Sequence, residues 1–126
     1  MRIRHFPLDN FAPESTWAAE ASECAAEQNL FWPYHDILFQ KSGTGAGVFA
    51  RDRLKAYARD VPGLDTAQFD GCVDSGKYVA RVQEDRDEGR RLGVNATPSV
   101  YVDNEALPPG IPTREALFGK IQERLR

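Results

Sequence analysis

Apolar side chains recur at helical spacing over most of the chain. In residues 14–28, Trp17, Ala21, Cys24 and Ala25 form one stripe of a segment rich in Ala and Glu, which predicts an amphipathic helix. Asn29 predicts a break and a cap for a second helix over about 30–40. There Phe31, Tyr34, His35 and Leu38 share a face, and Pro33 falls in the first turn, where its missing N–H costs nothing. A third helix is expected over 48–60, with Leu54, Tyr57, Ala58 and Val61 inward, ended by Pro62-Gly63. A fourth follows over 66–75, with Phe69, Cys72 and Val73 inward and Gly76 as its C-terminal stop. A fifth is predicted over 77–91. Its first half carries Tyr78, Val79 and Val82, and its second half, Glu84 to Arg91, reads as a solvated charged face.

Strand signals lie at the two ends of this helical run. Residues 2–8 read as a short strand, and Pro7 suits an edge or terminus. Residues 99–103 and about 105–108 predict a hairpin around Asp103-Asn104, a pair suited to positive φ. Pro108, Pro109, Gly110 and Pro112 then break the chain before a last helix over 113–125, capped by Thr113 with Leu117, Phe118, Ile121 and Leu125 toward the core. Strand, helices, strand, strand, helix is an α/β or α+β plan with helices on the sheet faces. The chain has no internal repeat and no low-complexity tract.

Composition narrows the function classes. A chain of 126 residues is one domain on length alone. The net charge is −3 with both signs mixed along the sequence, which argues against a nucleic-acid footprint. No apolar run approaches the ~18 residues of a membrane span. The N-terminus carries no cationic segment followed by an apolar stretch, so no signal peptide is expected in these residues.

Few residues carry obvious chemistry. Cys24 and Cys72 are the only cysteines, and the residues alone leave three states open: a disulfide, two free thiols, or a reactive pair. A reactive thiolate is best placed at a helix N-terminus, whereas Cys24 lies late in its helix and Cys72 past the middle of its own. His5 and His35 lie far apart, share a face with no second ligand, and define no metal site; His35 reads as a packed histidine with one hydrogen-bond partner. Trp17 and Trp32 read as core aromatics. Gly43-x-Gly45-x-Gly47 follows a helix and lacks the Lys-Ser/Thr of a phosphate loop, so it reads as a connector. Thr97-Pro98 by itself is an ordinary proline opening a strand, since only about 5–6% of X–Pro bonds in folded proteins are cis.

Several ordered matches change this picture. They are Arg4-His5-Phe6-Pro7-Leu8, the Cys24-Ala25-Ala26-Glu27-Gln28 helix end, the aromatic helix from Phe31-Trp32, Phe69-x-x-Cys72-x-Asp74-Ser75-Gly76, and Gly93-Val94 ahead of Thr97-Pro98. Together, over roughly residues 3–125, the chain resembles the DsbA-like thiol–disulfide oxidoreductases of the thioredoxin superfamily. The resemblance implies a single α/β thioredoxin-like domain over 1–126 with an inserted helical subdomain at about 13–92. It implies a structural disulfide between Cys24 and Cys72. It also implies a cis peptide bond at Thr97-Pro98, with Thr97 and Pro98 holding the backbone of a protein or peptide substrate. No cofactor and no metal are implied. The family works mostly in the periplasm or otherwise outside the cytoplasm.

The departure from the family is at its chemical centre. Its Cys-x-x-Cys lies upstream of the Phe-Pro-Leu strand, and none occurs here. The N-terminal β–α unit of the pattern is therefore missing from these residues, and disulfide exchange by that route is not expected of them. The absent strand is central in a thioredoxin sheet, and each buried backbone group left without a partner costs about 1–3 kcal/mol. Residues 2–8 are thus expected to pair with 99–103, or another segment or a second copy is expected to complete the sheet as a homodimer. The alternative function is a non-catalytic peptide-binding or assembly module using the Thr97-Pro98 loop and an open sheet edge.

Overall fold

The computed structural model describes residues 1–126. The chain forms two compact units, Met1–Asp87 and Glu88–Arg126.

The first unit is helical. It contains α1 (Glu14–Ala26), α2 (Phe31–Lys41), α3 (Arg51–Ala58), α4 (Thr66–Ser75) and most of α5 (Val79–Arg91). Helix α1 lies against α2, α3 and α4, because its inner stripe of Ala21, Cys24 and Ala25 is small and lets three neighbours approach. Tyr34, Leu38, Leu54, Ala58, Val61, Phe69 and Cys72 complete the core. Tyr34 is fully buried and donates its hydroxyl to the Leu54 carbonyl at 2.9 Å, so its polar end is satisfied within the core. Its ring lies 5.2 Å from that of Phe69. Trp17 packs at the core edge beneath the Arg51 guanidinium, 4.9 Å from its ring.

The helix ends follow local chemistry. The Asp65 side chain accepts from the Gln68 N–H and opens α4, and Gly76 at φ 66° closes it. Asn29 does break the chain, at φ 60°, but it is not the expected cap: Leu30 precedes α2 and no side chain caps it. Asn tolerates the left-handed conformation, and the turn uses its backbone alone. Helix α3 starts three residues later than expected, although Val48 and Phe49 still face inward.

Three expectations are corrected in this unit. Residues 2–8 form no strand. With no ladder partner, their backbone turns to side chains: the His5 N–H donates to Asp85 at 3.1 Å, and the Leu8 carbonyl accepts from Ser15 Oγ at 3.1 Å. Consequently Asp85 is buried, although it sits in the charge-rich half of α5 that reads as solvated. Trp32, expected in the core, is 45% exposed, because α2 turns Tyr34 and Leu38 inward and leaves the Trp32 position outside.

The second unit holds the sheet. Strands β1 (Tyr101–Val102) and β2 (Glu105–Ala106) pair antiparallel, with Tyr101 opposite Ala106 and Val102 opposite Glu105. The turn residues Asp103 and Asn104 have φ of 51° and 67°, the conformation a two-residue hairpin requires. Helix α6 (Arg114–Leu125) starts at Thr113, whose hydroxyl accepts from the Ala116 N–H. The expectation that Phe118, Ile121 and Leu125 face a core is also corrected: they are 51%, 36% and 81% exposed, and Leu117 is half-buried. A hairpin of two-residue strands is too small a surface to cover a helix face.

Candidate functional site

The loop joining α5 to β1 carries the candidate site. Helix α5 ends with Val94 N–H donating to the Gly89 carbonyl at 2.9 Å and Gly93 N–H to Arg90 at 3.1 Å. Gly93 itself stands at φ 79°, a conformation costly for any residue with a Cβ. The chain leaves this stop as an exposed loop over 95–99. Within it the Thr97–Pro98 peptide bond is cis.

Three hydrogen bonds fix the loop backbone. Ser99 Oγ donates to the Ala96 carbonyl at 2.7 Å. The Gly110 N–H donates to the Pro98 carbonyl at 3.1 Å, and the Leu107 N–H to the Val100 carbonyl at 2.8 Å. Carbonyls 96, 98 and 100 are thereby held from within the unit. Thr97 lies between the first two, exposed, and neither its N–H nor its C=O has a partner in the chain. A cavity of about 220 Å3 opens beside the loop, with Leu92, Val94, Val100, Leu107 and Pro109 as apolar walls and Asn95 and Ser99 as polar ones. No charged side chain lines it. Such a lining offers unpaired backbone groups and apolar surface but no charge.

The remaining candidates lie in the first unit. Cys24 and Cys72 form a disulfide, with Cα atoms 5.9 Å apart, and the chain has no free cysteine. Both cysteines are buried, at 1% and 6% exposure, so the bond ties α1 to α4 away from solvent. His5 Nε2 lies 2.7 Å from Glu23 Oε1. His35 instead stacks among Phe31, Trp32 and Phe39, with centroids 4.5–5.8 Å away, and contacts Asp36. The chain holds no cluster of three or more metal-ligating side chains.

One polar node escaped the sequence reading. Glu27, at the end of α1, meets Lys77 Nζ at 2.7 Å, the Tyr78 hydroxyl at 2.6 Å and Gln68 at 3.1 Å. The Lys77, Tyr78 and Gln68 hydrogen bonds hold its carboxyl down at about 2, and the hydrogen bond to Glu27, with burial, pushes the Tyr78 phenol up to about 12. Beside it, Gln28 exchanges two hydrogen bonds with the Asp65 backbone, at 3.1 and 2.8 Å. These contacts join the ends of α1, α4 and α5. Helix-end position alone gives no signal for them, because the partners lie about 40–50 residues away in sequence.

The sequence profile of the family described as Thioredoxin matches residues 1–117. The chain belongs to the thioredoxin family. Its helices with a small sheet are consistent with a thioredoxin-like α/β fold. It is 35% identical over 105 residues to the Na(+)/H(+) antiporter NhaA of Herminiimonas arsenicoxydans, covering 83% of this chain and 16% of that protein. It is 36% identical over 104 residues to the Na(+)/H(+) antiporter NhaA 1 of Mycolicibacterium gilvum, covering 81% and 16%. A third relative, the Na(+)/H(+) antiporter NhaA 3 of Salinispora tropica, is 33% identical over 100 residues. The chain therefore spans about one sixth of the length of these curated relatives. No solved structure matches it.

Proposed function

We propose that this chain is a DsbA-like domain of protein disulfide exchange, and that its own part in that exchange is to hold the substrate. In this reading residues of about 13–92 are the family's helical insertion, and Thr97 and Pro98 dock an extended protein or peptide segment. The observation that carries it is the free N–H and C=O of Thr97 between two carbonyls that are already held. A segment laid beside Thr97 gains one ladder pair and sets a side chain toward the apolar cavity.

Disulfide exchange requires a thiolate that attacks a sulfur and forms a mixed disulfide. Cys24 and Cys72 are joined to each other and buried, so neither supplies it. Residues 1–126 by themselves then hold a substrate without exchanging it. The curated relatives are much longer chains named as sodium/proton antiporters, which suits a domain that serves as one part of a larger protein.

The test is titration of the 15N-labelled chain with reduced, carboxymethylated insulin B chain, an unfolded probe that cannot exchange disulfides. The Thr97 amide is expected to shift at probe concentrations that leave Cys24 and Cys72 unmoved. Shifts confined to the first unit would overturn the reading.

A second reading is a non-catalytic assembly module, a homodimer completed by strand addition. It is favoured by one observation: β1 pairs only with β2, so its other edge is open, and open edges invite pairing. Sedimentation velocity separates the two, since strand exchange makes a concentration-dependent dimer without any probe.

A further inference from the structure

Most of the loop backbone around Thr97 is already committed. The Pro98 carbonyl is held by the Gly110 N–H and the Val100 carbonyl by the Leu107 N–H, both backbone donors. The Ala96 carbonyl is different. Its partner is a side chain, the Ser99 hydroxyl, reaching back three residues across the loop at 2.7 Å. Without that hydroxyl the Ala96 carbonyl has no other donor in the chain, and the peptide plane joining Ala96 to Thr97 loses its anchor. That plane carries the Thr97 N–H, one of the two groups offered to a substrate.

We propose that Ser99 is a positioning residue for substrate docking: its hydroxyl sets the Ala96–Thr97 peptide plane so that the Thr97 N–H points outward before a substrate arrives. The inference rests on the docking function assigned above to Thr97. Short Ser side chains commonly bond a carbonyl three or four residues earlier. Here that local bond lies inside the docking loop, where a group set in advance binds without an ordering cost. Ser99 also lines the cavity, so its single hydroxyl serves the loop and shapes the wall beneath the bound segment.

The experiment compares the full chain with Ser99→Ala and Ser99→Thr, titrating each with reduced, carboxymethylated insulin B chain and following the Thr97 amide. The hydroxyl is exposed, so the thermal midpoint of all three is expected to agree. Having to order the Ala96–Thr97 plane on binding predicts about fivefold weaker probe binding by Ser99→Ala, with Ser99→Thr restoring it. Backbone relaxation in the free Ser99→Ala chain should show faster motion at Ala96 and Thr97 and none added elsewhere. Equal binding by the wild-type and Ser99→Ala chains at the Thr97 amide would overturn the positioning role and leave docking intact. A wild-type chain whose Thr97 amide does not respond to the probe would overturn the docking function and the positioning role with it.

Discussion

The Asp85 carboxylate accepts the backbone N–H of His5 at 3.1 Å, across 80 residues of sequence. Asp85 side-chain exposure is 3%, and Arg4 and Arg81 each stand 3.6 Å from it. A buried carboxylate is costly unless paired, and here it has two cations and a backbone donor. It holds the extended N-terminal residues onto the helices, together with the His5–Glu23 and Ser15–Leu8 contacts and the Arg86–Asp9 ion pair.

Asp85→Ala is therefore expected to destabilise the chain by about 2–3 kcal/mol, because it orphans the His5 N–H and removes a shared acceptor for two arginines. Asp85→Asn, which keeps an acceptor oxygen, should cost less. Urea denaturation followed by far-UV circular dichroism measures both.

Breaking the Cys24–Cys72 disulfide should cost about 4 kcal/mol in the chain-entropy account, given the 48-residue separation it closes. The double variant Cys24→Ala, Cys72→Ala tests this by its denaturation midpoint. Because both sulfurs are buried, the folded chain should resist dithiothreitol at concentrations that reduce it at once in denaturant. Thiol counting with and without urea reads the difference.

Glu27 sets an acid dependence. Its folded carboxyl is lowered to about 2 from the ordinary 4.5, chiefly by the Lys77 hydrogen bond. A group lowered on folding stabilises the fold above its unfolded value and loses that contribution as pH falls through the folded one. Stability carried by Glu27 is thus fully present above about pH 4.5 and lost between there and about pH 2. Glu27→Gln should flatten the stability-versus-pH curve in that window. Tyr78 runs the opposite way: raised to about 12 from 10 by the Glu27 hydrogen bond, it loses its contribution as pH rises from about 10 through 12. Alkaline absorbance titration of Glu27→Gln should show one tyrosine ionising earlier than in the wild type.

Tyr34→Phe keeps the ring against Phe69 and removes only the hydroxyl that satisfies the Leu54 carbonyl. A cost of about 1–2 kcal/mol is expected, the price of a buried acceptor left without a donor. Equilibrium denaturation checks it, and a neutral result would mean that water reaches the Leu54 carbonyl.

The helices were legible in the sequence because their causes are local. Asp65 and Gly76 bound α4, Thr113 opens α6, and Asp103-Asn104 forms the hairpin turn; each depends on residues within four positions. The inward stripe of Ala21, Cys24 and Ala25 followed from spacing alone. The Thr97-Pro98 position was legible as a motif, whereas the hydrogen bonds from Ser99 and Gly110 that hold its neighbours were not.

What only the tertiary structure decided concerns groups whose partners are distant. Residues 2–8 have a strand-like pattern, yet a strand exists only where a second backbone pairs with it, and here Asp85 and Ser15 take the bonds instead. Asp85 sits among charges that periodicity assigns to water, and it is buried because Arg4 and Arg81 compensate it. Phe118, Ile121 and Leu125 have the spacing of a core face and remain exposed, because spacing selects the face of a helix but not the surface that covers it. Sequence alone determined which segments are helical and where they stop, since capping and periodicity act within one or two turns. Burial and pairing depend on what lies opposite, and only the folded chain decides that.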